Sequence, residues 1–122
     1  MERVILMADD KLDPRECLYG YRFEKQGHVV IYYRDGSKII RDVNDGLRYD
    51  LAVIDLSLPG LDGVEVIRRL KLKYPRVPVI SASGYVVLNS DADDKVVKPF
   101  RYNELMRVVN KFLPGTLEQE LF

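Results

Sequence analysis

Leu51, Ala52, Val53 and Ile54 make an unbroken apolar run that ends on Asp55 and is followed by Pro59-Gly60. A strand with one wet face alternates apolar and polar side chains. A run that is apolar at every position is instead covered on both sides. That requirement narrows the fold to a sheet held between layers of helix. Apolar and β-branched runs at 3–8, 28–33, 51–54, 77–82 and 95–97 alternate with stretches of helical period at 13–26, 37–44, 63–75 and 103–113. Strands that alternate with helices in this way predict a parallel sheet with helices on both faces.

Local signals mark the helix ends. Asp13, Pro14 and Glu16 read as a capping box, with Gly27 as the stop of that first helix. Tyr19 and Phe23 share one of its faces, and Gly20 weakens it by about 1 kcal/mol relative to Ala. Pro59-Gly60 and Asp62 open the loop to the helix at 63–75, where Ile67, Leu70 and Tyr74 fall on one side and Pro75 is the stop. Leu105, Val108, Val109 and Phe112 form one stripe on the last helix, which Pro114-Gly115 ends.

A chain of 122 residues is one domain with one sizeable core. Lys+Arg and Asp+Glu both number 19, so no charge excess points to nucleic acid or to a membrane surface. The start, MERVILMADD, is too short in apolar residues and too acidic for a signal peptide or a span. Cys17 is the only cysteine, which excludes an internal disulfide and a thiolate metal cluster and favours a cytoplasmic location.

Open parallel sheets bind ligands beyond the C-terminal ends of their strands. Asp9 and Asp10 follow the first strand, Asp55 the third, Ser83 the fourth and Lys98 the fifth. Taken singly, each has a plain account. Asp9 and Asp10 start a loop or cap a helix, Asp55 makes an Asx turn, Ser83 belongs to the turn at Gly84, and Lys98 is a solvated lysine. Their joint placement carries the reading. Three carboxylates at one edge repel one another unless a cation lies among them, and hard oxygen ligands suit Mg²⁺. An ionised Asp needs no general base to attack phosphorus, only neutralisation of the transferring group.

With ADDK, VIDLSLPGLDG, PVISASGY and VVKPF in this order and at these strand ends, the chain resembles the receiver domain of two-component response regulators from Met1 to Leu113. The resemblance implies a flavodoxin-like α/β fold: a doubly wound, five-stranded parallel sheet in the order 2-1-3-4-5 within three αβα layers. Residues 1–113 are then the receiver domain and 114–122 a C-terminal tail. By the same resemblance Asp55 is the phosphoacceptor. Asp10, Asp55 and the backbone carbonyl of Ser57 ligate Mg²⁺, and Asp9 holds it through water. Ser83 hydrogen-bonds a phosphoryl oxygen and moves inward on activation, Lys98 pairs with Asp55 or its phosphate, and the Lys98–Pro99 peptide is cis. The implied partners are a sensor histidine kinase or histidine phosphotransfer protein and a downstream protein target, without nucleic acid or membrane. The implied state is a monomer or a phosphorylation-dependent dimer. Such a protein is a phosphoacceptor, at most catalysing its own phosphorylation and dephosphorylation.

Two departures stand out. Residues 84–97 number only 14 and must hold a loop, any fourth helix and the fifth strand. A helix of about 11–12 residues with connections of about 2–6 does not fit, so the fourth helix is expected to be missing or reduced to about one turn. Lys95 stands where the family often has an aromatic that follows the hydroxyl residue. Tyr85 and Ser57 flank the expected path of attacking water, where a bulky Tyr85 either slows hydrolysis or packs elsewhere. His28, at the head of a strand, is read as structural, Cys17 as packing, and the tail with Leu117, Leu121 and Phe122 as frayed by default. The alternative function is a phosphorylation-independent receiver acting as a protein-binding module. A haloacid-dehalogenase-like phosphatase ranks last, because its second Asp, two residues after the nucleophile, is Ser57 here.

Overall fold

Strand and helix alternate along the chain as the apolar pattern requires. The computed structural model describes residues 2–11, 14–85, 87 and 90–117, without the side chains of 14–17. The order is β1 (Val4–Ala8), α1 (Pro14–Lys25), β2 (Val29–Tyr33), α2 (Gly36–Asn44), β3 (Leu51–Asp55), α3 (Gly63–Lys73), β4 (Val79–Ser83), β5 (Asp94–Val97) and α4 (Tyr102–Phe112). Asp13, Leu121, Phe122 and the side chain of Cys17 lie outside what is described.

The five strands are parallel, in the order β2-β1-β3-β4-β5. The fold is the expected flavodoxin-like one. Every residue of the central β3 is buried, whereas the edge strand β5 buries only Val96. Alternate β3 side chains enter two cores. Leu51 and Val53 pack with Phe23, Leu105 and Val109 of α1 and α4. Ala52 and Ile54 pack with Ile39, Val43, Ile67 and Leu70 of α2 and α3. Burial of each such aliphatic side chain stabilises the fold by about 1.5–3 kcal/mol.

Asp62, read as opening the loop to this helix, caps α3: its Oδ1 accepts from the Val64 and Glu65 amides at 2.9 and 3.2 Å. α2 begins one residue earlier than its apolar period indicates, because Asp35 caps it by accepting from Ser37 N at 2.7 Å. Gly20 has a tertiary reason. A Cβ there would overlap the Tyr32 ring of the neighbouring strand, whose hydroxyl donates to Glu24.

Among the described residues none between Ser83 and Asp94 is helical. Val87 and Ala92 of this segment pack against the α2–α3 core. Its end is tied down by Asp93, whose Oδ2 accepts from Val79 N and from Lys71 Nζ, both at 2.8 Å. A cleft of about 250 Å³ opens beside it, between Ser81, Val87, Ser90 and Lys95.

The start of the tail is packed rather than frayed. Leu117 is buried in the α1–α4 core, and its backbone exchanges two hydrogen bonds with the Asn110 amide at 2.8 and 2.9 Å. His28 is structural, as its position at a strand start indicates. Its Nδ1 accepts from the Arg3 amide at 3.0 Å while Nε2 pairs with the Thr116 carbonyl, so the ring ties the residue before β1 to the segment after α4.

Candidate functional site

In a parallel sheet all strands finish at one edge, and the register decides which finishing residues are neighbours. Ala8 is level with Ile54, which sets Asp9 beside Asp55. Asp55 is level with Ala82, and Ser83 with Val97, so Lys98 comes one step above the end of β5. Asp9, Asp55 and Ser83 are only 3, 4 and 7% exposed. Burial of charge at this level requires partners.

Lys98 provides them. Its Nζ donates to Asp9 Oδ2 at 2.7 Å and to Asp55 Oδ2 at 3.1 Å. The lysine is held by its backbone, since its N–H donates to the Ser83 carbonyl at 2.7 Å and its peptide bond to Pro99 is cis. Just after it, Phe100 is buried against Tyr19, whose ring also packs on Tyr102, and the Phe100 carbonyl accepts the Tyr19 hydroxyl at 2.8 Å. Sequence reasoning placed Tyr19 on a core face but did not connect it to the lysine loop; the two lie 81 residues apart.

The remaining carboxylate oxygens are oriented by short loops. Asp9 Oδ1 accepts from Lys11 N and Asp55 Oδ1 from Ser57 N, each at 2.9 Å. One carboxylate oxygen from each of Asp9, Asp10 and Asp55 lies within 4.8 Å of the others. Against these three carboxylates the described hydrogen bonds set the Lys98 ammonium. A hard-oxygen set of this kind fits a Mg²⁺ ion.

Ser83 is at the same edge, but its contact is local: Oγ accepts from the Tyr85 amide at 3.2 Å. Tyr85 is 66% exposed. Lys95 is exposed on β5. The expected residues therefore share one edge. Asp9, Asp10, Asp55 and Lys98 form a contacting cluster, and Ser83 joins it through the Lys98 backbone.

Two glycines were not singled out in advance. A Cβ on Gly63 would stand 2.5 Å from Leu56 Cα and closer still to the Asp55 carbonyl oxygen. A Cβ on Gly36 would stand 2.7 Å from Val66 Cγ2 and closer still to the Leu61 carbonyl oxygen. The sequence carries a faint sign of both: each follows a capping Asp, in Asp35-Gly36 and Asp62-Gly63, at a helix start on the functional edge.

Comparison with known proteins agrees with this geometry. The model of the response regulator receiver domain family matches residues 5–110. The two-component response regulator PhoP of Pseudomonas aeruginosa is 37% identical over 116 residues, covering 89% of this chain and 51% of that protein. The chain thus spans about half the length of that relative. Sporulation initiation phosphotransferase F of Bacillus subtilis is 30% identical, with 93% of this chain and 96% of that one covered. Among solved structures, the response regulator TrrA of Thermotoga maritima in complex with Mg²⁺-BeF superposes with a TM-score of 0.76 at 30% identity, over 90% of this chain and 98% of that one. No described helix is long and apolar enough to cross a membrane. With the sheet order, the acidic edge and the family match in agreement, the chain belongs to the response regulator receiver domain family.

Proposed function

We propose that this receiver accepts a phosphoryl group on Asp55 from a phosphohistidine of a sensor histidine kinase or histidine phosphotransfer protein, and signals to a downstream protein by changed contacts. The observation that carries this reading is the Lys98 ammonium, set between Asp9 and Asp55 at the mouth of a three-carboxylate cluster. Bound Mg²⁺ would neutralise the equatorial phosphoryl oxygens, held by Asp10, Asp55 and the Ser57 carbonyl, with Asp9 acting through water.

The chain's own groups do the rest. An Asp55 carboxylate oxygen attacks phosphorus, the P–N bond of the phosphohistidine breaks, and its electron pair returns to the imidazole. The product is an acyl phosphate on Asp55. Lys98 exchanges its bond to Asp55 for one to the phosphoryl group and keeps Asp9 as its second partner. Ser83 Oγ accepts from the Tyr85 amide, which leaves its own hydrogen to turn toward a phosphoryl oxygen. The exposed Ser57 and Tyr85 bound the approach of hydrolytic water.

Incubation with Mg²⁺ and acetyl phosphate, followed by intact mass measurement, tests the reading. One added phosphoryl group is expected with the wild type and none with Asp55→Asn. No adduct with the wild type, under conditions that label another receiver, would refute phosphoacceptance and leave the phosphorylation-independent binding module.

A further inference from the structure

The loop at 56–62 carries Ser57, and two helix starts pin it from opposite sides. At its beginning, Gly63 of α3 lies against the backbone of Asp55 and Leu56, and the Gly63 amide donates to the Leu56 carbonyl at 3.3 Å. In its middle, the Gly36 amide of α2 donates to the Pro59 carbonyl at 3.1 Å, and the bare Cα of Gly36 faces the Leu61 carbonyl. Between these pins Leu58 is buried in the α2–α3 core and the Ser57 amide is bonded to Asp55.

We propose that Gly36, on α2 and outside the acidic cluster, is a positioning residue for that cluster: its bare Cα lets α2 rest on the 56–62 loop and so sets where the Ser57 backbone stands beside Asp55. The proposal rests on the reading of the cluster as a Mg²⁺ and phosphoryl site. Its physical basis is that the atoms in the way of a side chain at Gly36 include backbone, which cannot rotate aside. Restoring an ordinary contact of about 3.5 Å moves either α2 or the loop by about 1 Å. α2 is fastened by the buried Ile39, Ile40 and Val43 and by the Asp35 cap. The loop, exposed at Ser57, Pro59 and Gly60, is the softer partner. Loss of outer-shell support for a metal ligand costs about 10–100-fold in metal affinity.

Gly20 supplies the control. It too has a close tertiary neighbour, but on α1, where the obstacle is the Tyr32 side chain. Gly36→Ala, Gly20→Ala and the wild type are titrated with Mg²⁺ and followed by amide NMR; adduct formation with acetyl phosphate is then measured across the same Mg²⁺ range. For Gly36→Ala the Mg²⁺ half-saturation should rise about tenfold or more. The adduct rate at saturating Mg²⁺ should stay within about threefold of wild type, and the Ser57 amide should exchange faster in metal-free protein. Gly20→Ala should lower stability but leave the half-saturation unchanged. If Gly36→Ala does not fold, Pro59→Gly loosens the same loop without adding an atom, and the same rise is expected. An unchanged half-saturation in Gly36→Ala, or an equal rise in Gly20→Ala, overturns the proposal while phosphoacceptance stands. A wild type that neither binds Mg²⁺ nor forms an adduct overturns both.

Discussion

Asp10→Asn should make the metal-free protein more stable. The reason lies in the crowding of charge at the sheet edge. Asp10 has a carboxylate oxygen within 4.8 Å of one on Asp9 and one on Asp55, while the two lysine contacts go to Asp9 and Asp55. At 4.8 Å a like-charge pair repels by about 3.5 kcal/mol at an effective dielectric of 20, and by about 0.9 kcal/mol in water. Asp10 is half-buried, so its two repulsions fall between these limits, and attraction to the nearby ammonium offsets part of them. A net gain of about 1–2 kcal/mol remains when the charge is removed without changing the side chain's shape. Urea denaturation in EDTA and again in millimolar Mg²⁺ measures it. The variant should unfold at higher urea than wild type in EDTA, and Mg²⁺ should then shift its midpoint much less than that of wild type. A lower midpoint in EDTA, or an equal Mg²⁺ shift in both proteins, would refute the account of this cluster as repulsion stored for a cation.

Lys98→Ala should act in the opposite sense, because it strands two nearly buried carboxylates; a loss of about 2 kcal/mol is expected after discounting for the lysine's partial exposure, read from the same denaturation curves. Tyr49→Phe should stabilise the fold by about 1 kcal/mol, as its buried hydroxyl has no hydrogen-bond partner among the described residues and burial already raises its pKa; thermal denaturation decides. Hydrogen bonds from Arg68 and then Arg69 lower the Glu65 carboxyl from 4.5 to about 2. Since the folded value is the lower one, its contribution is present above about pH 4.5 and is lost as the pH falls toward 2. A Glu65 side-chain NMR titration with a midpoint near 4.5 would contradict that.

The layered sheet was legible from Leu51–Ile54 and its neighbours, because solvent exclusion on both faces of a strand leaves no polar position in the run. The strand-end residues were legible for a related reason. Parallel topology turns the order along the chain into adjacency at one edge, so Asp9, Asp55 and Lys98 meet there although the sequence separates the aspartates from the lysine by 89 and 43 residues. The short segment before β5 likewise followed from length alone, as 84–97 cannot hold a loop, a helix of average length and the fifth strand together.

Other features depended on packing between elements. Gly20, which by propensity merely weakens a helix, is required by the Tyr32 ring. Gly36 resembles any residue after a helix cap until the loop from β3 is laid across it. Thr116 and Leu117, the start of a 114–122 tail read as frayed by default, are held by His28 and Asn110, a contact between α4, the residue before β2 and residues 116–117 that no local pattern encodes. Periodicity and spacing record which side of an element meets water and which residues finish a strand. They do not record how closely two backbones approach, and that closeness, set only when all the layers are packed, is what positions the loop beside Asp55.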